Sequence, residues 1–144
     1  MWIAAGLHRT PSGHVVPAGA VVPGLRSADP EATLAIGHGA TVQGGIEHAG
    51  AVVLAPRANA WHDVRGGHEV VLGPGATVRG RVTALGRIVV QAGASAGDLD
   101  AGGDVLLLGD CRVGVVRAAG DIIIVGAPTT GLLQPGGRIS TRPW

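Results

Sequence analysis

The chain has 144 residues, a formal net charge of +1, no Phe or Tyr and three Trp. That length suits one domain with a real core, and the core has to be filled by Val, Ile, Leu and Ala instead of the aromatics on which globular domains usually lean. Eleven arginines nearly balance ten acids, which excludes the concentrated basic surface of a nucleic-acid binder, and one cysteine excludes an intrachain disulfide framework. The longest apolar runs, such as Val105–Leu108, fall far short of the roughly 20 residues that cross a bilayer. Twenty-six glycines, well over twice the usual share of about 7%, follow no Gly-X-Y period, so they punctuate something regular that is not collagen.

At the start, "MWIAAGLHR" lacks the basic n-region and long h-region of a signal peptide. Its Trp2 and Ile3 suit a reversible contact with a membrane surface at most. Residues 1–17 are expected to form an irregular arm. "AGAVVPG" then reads as an irregular start, "RSADPEA" as a loop, and "ATLAIGH" as the end of a coil with Leu34 and Ile36 in core positions.

From Gly39 the chain repeats itself. Residues 39–56, 57–74 and 75–92 form units of 18; residues 93–109, 110–126 and 127–143 form units of 17. Aligning them gives chemically uniform columns. One reads Ile46, Val64, Val82, Leu99, Val116, Leu133; a second Val52, Val70, Ile88, Val105, Ile122, Ile139; a third Leu54, Leu72, Val90, Leu107, Ile124, Thr141. A small-residue column, Ala40, Ala58, Ala76, Ala94 and Cys111, and two glycine columns run between them. Cys111 therefore reads as a buried small hydrophobe, not a nucleophile.

Inward residues alternate, as Val105 and Leu107 do, which is the period of a strand. Short β-branched strands between glycine corners describe an all-β fold, a single triangular parallel β-helix of about six to seven coils of 17–18 residues. The β-helix is expected over residues 18–140, with 141–144 a short tail. Stacked coils lie about 4.8 Å apart, so charges in one outward column are neighbours. Glu69, Arg87, Asp104, Asp121 and Arg138 share one column, Asp63, Arg81 and Asp98 another; Glu47 pairs with Arg65 and Asp100 with Arg117. Asp104 beside Asp121 is the one like-charged step.

Handedness is open from spacing alone. An aliphatic or Ala recurs every six residues from Ile46 to Ala94, as in left-handed hexapeptide helices, but the step shortens to five at Ala94–Leu99, Cys111–Val116 and Pro128–Leu133.

The runs "IGHGATVQGGIEHAGAVVLAP" and "LGPGATVRGRVTALGRIVVQAGASAGDLDA" resemble the bactofilins, polymer-forming bacterial cytoskeletal proteins. Their repeat grammar is visible at Gly39, Gly75 and Gly93, and the resemblance covers about Leu34 to Ile139. "AGGDVLLLGDCRVGVVRAAGDIIIVGA" is also similar to the C-terminal β-helix of the septum-site cell-division inhibitor. Both relatives imply a right-handed helix. The bactofilin resemblance further implies nucleotide-independent filaments built by stacking end coils, in the cytoplasm and often on the inner membrane, with the chain itself as partner and no cofactor. Bactofilin β-helices are often closed at one end by a Phe, which this chain lacks; Trp144 or Trp2 would have to substitute.

The competing reading is a left-handed trimeric enzyme, an acyltransferase or a carbonic-anhydrase-like zinc protein. A zinc site needs convergent histidines. His48, His62 and His68 are the candidates, and the register puts them in three different columns at corners. The segment "NAWHDVRGGHE" is the only polar, Trp-containing interruption, and it reads as a decorated corner with Trp61 over the outer surface. A solenoid with thin caps exposes strand edges and apolar cross-sections that template assembly. The expected polymer interface is therefore the end coils, through Leu34 and Ile36 at one end and Thr130, Leu133, Ile139 and Trp144 at the other.

Overall fold

A computed structural model describes residues 8–10, 13–27 and 33–142, and every regular element among them is a β-strand. In chain order these are β1 (His8–Thr10), β2 (Gly13–Val16), β3 (Val21–Val22), β4 (Leu25–Ser27), β5 (Thr33–Ile36), β6 (Thr41–Val42) and β7 (Ile46–His48). They continue as β8 (Ala51–Leu54), β9 (Asn59–Ala60), β10 (Val64–Gly66), β11 (Val70–Leu72), β12 (Thr77–Val78), β13 (Val82–Ala84) and β14 (Ile88–Val90). The last six are β15 (Leu99–Ala101), β16 (Val105–Leu108), β17 (Val116–Ala118), β18 (Ile122–Val125), β19 (Leu133–Pro135) and β20 (Ile139–Arg142).

Three sheets result. The first runs β1-β2-β5-β8-β11-β14-β16-β18-β20, the second β4-β7-β10-β13-β15-β17-β19, the third β3-β6-β9-β12. Apart from β1, which lies antiparallel on β2, each strand pairs in parallel with its counterpart one coil away, so the chain is a parallel β-solenoid. The aliphatic columns are the register itself. Ile46, Val64, Val82, Leu99, Val116 and Leu133 are successive partners in the second sheet. Val52, Val70, Ile88, Val105, Ile122 and Ile139 are successive partners in the first. Ala40, Ala58, Ala76, Ala94 and Cys111 are all fully buried, small enough to bring the third side against this aliphatic core.

Two boundaries differ from the sequence expectation. β2 belongs to the first sheet and pairs with β5, Val16 opposite Ile36, so the solenoid includes residues assigned to an irregular arm. It also continues past residue 140, since β20 runs to Arg142. Leu34 and Ile36 consequently lie inside the stack, both at 0% exposure, and not on an end coil.

The third sheet fades after β12 into single bridges at Ser95, Arg112 and Thr129. The cause is the missing residue of the 17-residue coils. Five positions separate Ala94 from Leu99 where six separate Ala76 from Val82, and the lost column is the one holding Gln43, Trp61 and Arg79. Where that column exists it stacks: the Arg79 guanidinium sits 5.4 Å from the Trp61 ring centroid.

The outward charges do more than pair. Glu69 and Arg87 close an ion pair at 2.8 Å, and Arg81 reaches Asp98 only at 3.9 Å; exposed pairs of this kind are worth about 0–1 kcal/mol each. Four aspartates instead accept backbone N–H groups from the next coil: Asp63 from Arg81, Asp98 from Val115, Asp104 from Asp121 and Asp121 from Arg138, at 2.8–3.0 Å. Arg117 turns to Gln134 at 2.9 Å. The like-charged neighbours Asp104 and Asp121 are thereby explained, because Asp104 binds the main chain of Asp121. Each accepting carboxylate needs a gap in the coil above it. The residue before each donor is Gly80, Gly114, Gly120 or Gly137, and a Cβ there would lie 2.1–2.6 Å from the carboxylate oxygen.

This geometry separates two kinds of glycine. Gly120→Ala displaces the Asp104 carboxylate and is expected to cost about 1–3 kcal/mol, the worth of a hydrogen bond to a charged group. Gly67→Ala drives a Cβ to 1.8 Å from the Ala49 carbonyl oxygen, which is main chain and cannot swing away. Urea unfolding is expected to give additive-failing coupling between Gly120→Ala and Asp104→Ala, the double variant costing little more than Asp104→Ala alone. Gly67→Ala is expected to cost more than Gly120→Ala.

Candidate assembly interface

Repetition makes most of the surface equivalent from coil to coil. The outer side of the second sheet carries Glu47, Arg65, Thr83, Asp100, Arg117 and Gln134, and that of the third sheet Thr41, Asn59, Thr77, Ser95, Arg112 and Thr129. The first sheet carries an outer aliphatic row, Val53, Val71, Val89, Leu106 and Ile123, half-buried or buried, and the third sheet adds the exposed Val21 opposite Thr41.

Exposed large apolar side chains depart from this pattern at Val21, Trp61 and Leu85, and again at Leu132 and Ile139 in the last coil. In the last coil, Leu133 pairs with Val116 and Ile139 with Ile122. Ile122 is 0% exposed and Ile139, one coil on in the same column, is 46% exposed. Leu132 is 59% exposed beside them, Thr130 and Leu133 are half-buried, and Thr141 is exposed. Throughout the stack the residues of these columns donate to the coil above, Val116 N–H to the Leu132 carbonyl at 2.8 Å and Ile122 N–H to the Arg138 carbonyl at 2.8 Å. β19 and β20 are the terminal strands of their sheets, so no further described strand stands above Leu133 or Ile139. The result is an edge that presents apolar side chains together with strand hydrogen-bonding groups.

The opposite end is built differently. Val16 and Val22 belong to the first coil, yet they are only 0% and 2% exposed, and the edge of β2 is occupied by β1. Of the residues expected at the polymer interface, the structure therefore brings Thr130, Leu133 and Ile139 to one end and withdraws Leu34 and Ile36 from the other. Trp144, Trp2 and Ile3 lie outside the described residues. Leu132 was missed by the sequence reading. The column gave little signal: it runs Asp63, Arg81, Asp98, Val115, Leu132, so an aliphatic is already present one coil earlier.

The histidines do not converge. His48 is not at a corner: it lies in β7, facing inward and buried, in the column of Gly66 and Ala84, while His62 and His68 are exposed. No three His, Cys, Asp or Glu residues gather among the described residues. A groove of about 600 Å³ follows the corner between the first and third sheets, lined by Ala92, Gly109, Asp110, Gly126 and Ala127. Among the described residues its lining supplies one carboxylate, Asp110.

No family model, curated protein or solved structure matches the chain. No helix among the described residues is long and apolar enough to cross a membrane.

Cys111 is fully buried in the small-residue column. Burial pushes its thiol up from the ordinary value, outweighing nearby backbone hydrogen bonds that favour the thiolate. The thiol thus stays protonated through neutral pH, and a thiol reagent reaches it only when the coil opens. Reaction with a disulfide reagent is expected to be on the order of a hundredfold or more slower in the folded protein than in denaturant, at the same pH.

Proposed function

We propose that this is a structural protein resembling the bactofilins, a right-handed triangular β-helix that joins end to end into nucleotide-independent cytoplasmic filaments and carries out no catalysis. The observation that carries the reading is the last coil, where core-column Ile139 is 46% exposed on an edge with no described strand above it. Another solenoid end is the natural complement of such an edge: it supplies strand partners and an apolar cross-section of the same dimensions. Burying exposed apolar area contributes about 25 cal/mol per Å², and the ladder hydrogen bonds fix the register.

Leu133→Arg and Ile139→Arg put a charge into that contact at positions whose outer side no described strand covers. Both variants are expected to keep the strand signature in circular dichroism and to lose polymers in negative-stain electron microscopy. Filaments unchanged in both would refute the end-coil contact.

Trp2 and Ile3 add a weak, reversible contact with the cytoplasmic face of the inner membrane in this reading. Liposome flotation of the wild type is expected to be lost on Trp2→Ser/Ile3→Ser substitution, with polymerisation unaffected.

A further inference from the structure

The two ends of the solenoid are not alike. All ladders among the described residues are parallel except one, in which β1 lies antiparallel on β2 with His8 opposite Val15, Arg9 opposite His14 and Thr10 opposite Gly13. A solenoid coil arriving from another molecule in continuation of the stack needs the edge of β2 free, because it would extend the first sheet as β5 does, in parallel register. β1 occupies that edge. It also presents outward a strand of opposite direction, against which a continuing coil is out of register. At the other end β20 leaves the same sheet open.

We propose that β1 is a displaceable edge guard: with it in place the first sheet is open among the described residues only at β20, β4 and β3 being the outer strands of the other two sheets at the guarded end, and elongation requires β1 to leave β2. This rests on the end-to-end reading above and concerns how that assembly is controlled. With the guard on, only the β19–β20 end offers an uncovered edge of the first sheet, so through that sheet it meets only its like, and a contact between like surfaces closes on itself as a two-fold pair. With the guard off, both ends are available and the chain of contacts does not close. A three-residue antiparallel strand is a small barrier compared with a full coil, since a lone hairpin is marginal in water. It therefore sets the population of competent ends without blocking assembly outright. Apparent affinity is then reduced by the fraction of ends that are open.

A cross-strand cysteine pair converts the guard into a lock. Arg9→Cys/His14→Cys places the two Cα atoms at the directly opposed positions of the ladder, about 4.5–5.5 Å apart, which is within disulfide range. Buried Cys111 does not compete. Sedimentation velocity and negative-stain microscopy of the full-length protein, oxidised and then reduced in the same tube, read the outcome. The oxidised form is expected to stop at dimers and the reduced form to elongate. Arg9→Pro/Thr10→Pro supplies the converse. Successive N–H groups of a strand point to opposite sides, so one of the two prolines has to strike the β2 ladder. That variant is expected to elongate at a protein concentration on the order of tenfold lower than wild type. If oxidised and reduced proteins elongate alike, the guard is overturned and end stacking stands. If nothing larger than a monomer forms even in the reduced and proline variants, end stacking itself fails and the guard with it.

Discussion

Stacking at the strand spacing is the constraint on which everything else here depends. Each residue's main neighbours are the residues one coil before and one coil after it, about 4.8 Å away. A side chain is therefore chosen against its own column, and the choice repeats. The aspartate ladder shows this in its simplest form. Asp104 can bind the N–H of Asp121 only because Gly120 leaves the space that a Cβ would fill, and Asp121 can do the same for Arg138 only because of Gly137. Carboxylate and glycine are one device spread over two coils. The glycine abundance follows from it in part: many of these residues serve close approach of backbone to backbone or to a carboxylate, and a smaller set, Gly39, Gly75, Gly93, Gly109 and Gly126 among them, serves a left-handed turn.

Columns of equivalent positions were legible because a strand's inward residues are a strict alternation and the repeat from Gly39 onward changes only once, from 18 to 17 residues. The first coil was not, for a reason that lies in its length. Val16 pairs with Ile36, an offset of 20 residues, and Leu25 pairs with Ile46, an offset of 21. An alignment at 17 or 18 slides past both. The role of the charges was only half legible. Opposite signs in neighbouring coils suggest ion pairs, and Glu69 with Arg87 is one. Spacing alone does not distinguish a carboxylate that meets a guanidinium from one that meets the main chain beneath that guanidinium. Asp63 under Arg81 and Asp121 under Arg138 are of the second kind. The like-charged step from Asp104 to Asp121, a flaw in a pairing scheme, is what a backbone-capping ladder permits.

Placement at the end of the described stack was legible for Leu133 and Ile139 and misjudged for Leu34 and Ile36. Leu133 and Ile139 fall in core columns of the last coil whatever their surroundings, so their exposure follows from position. Leu34 and Ile36 fall in equally good core columns, and only the pairing of β2 with β5 tells that they are interior. Column membership says that a side chain faces inward; it does not say whether another coil lies beyond.

The same logic bears on what kind of function such a chain supports. A catalytic or metal site needs different residue types converging on one point, which stacking like residues in columns does not supply by itself. The histidines illustrate the conflict: one is turned into the core and two stand outside it, in three separate columns. Where the register changes, at the loss of the Trp61 column after Arg79, the difference is absorbed by a shortened ladder in the third sheet. What repetition cannot make equivalent is its own termination. Among the described residues an end coil has the same kinds of residue as an interior coil and one described neighbour fewer, so the pairing that joins coils within the molecule is incomplete at that edge. In the proposed reading, association through the ends needs no additional recognition chemistry, only an open end, and the contrast between the β1-covered edge and the β20 edge is where that choice would be set.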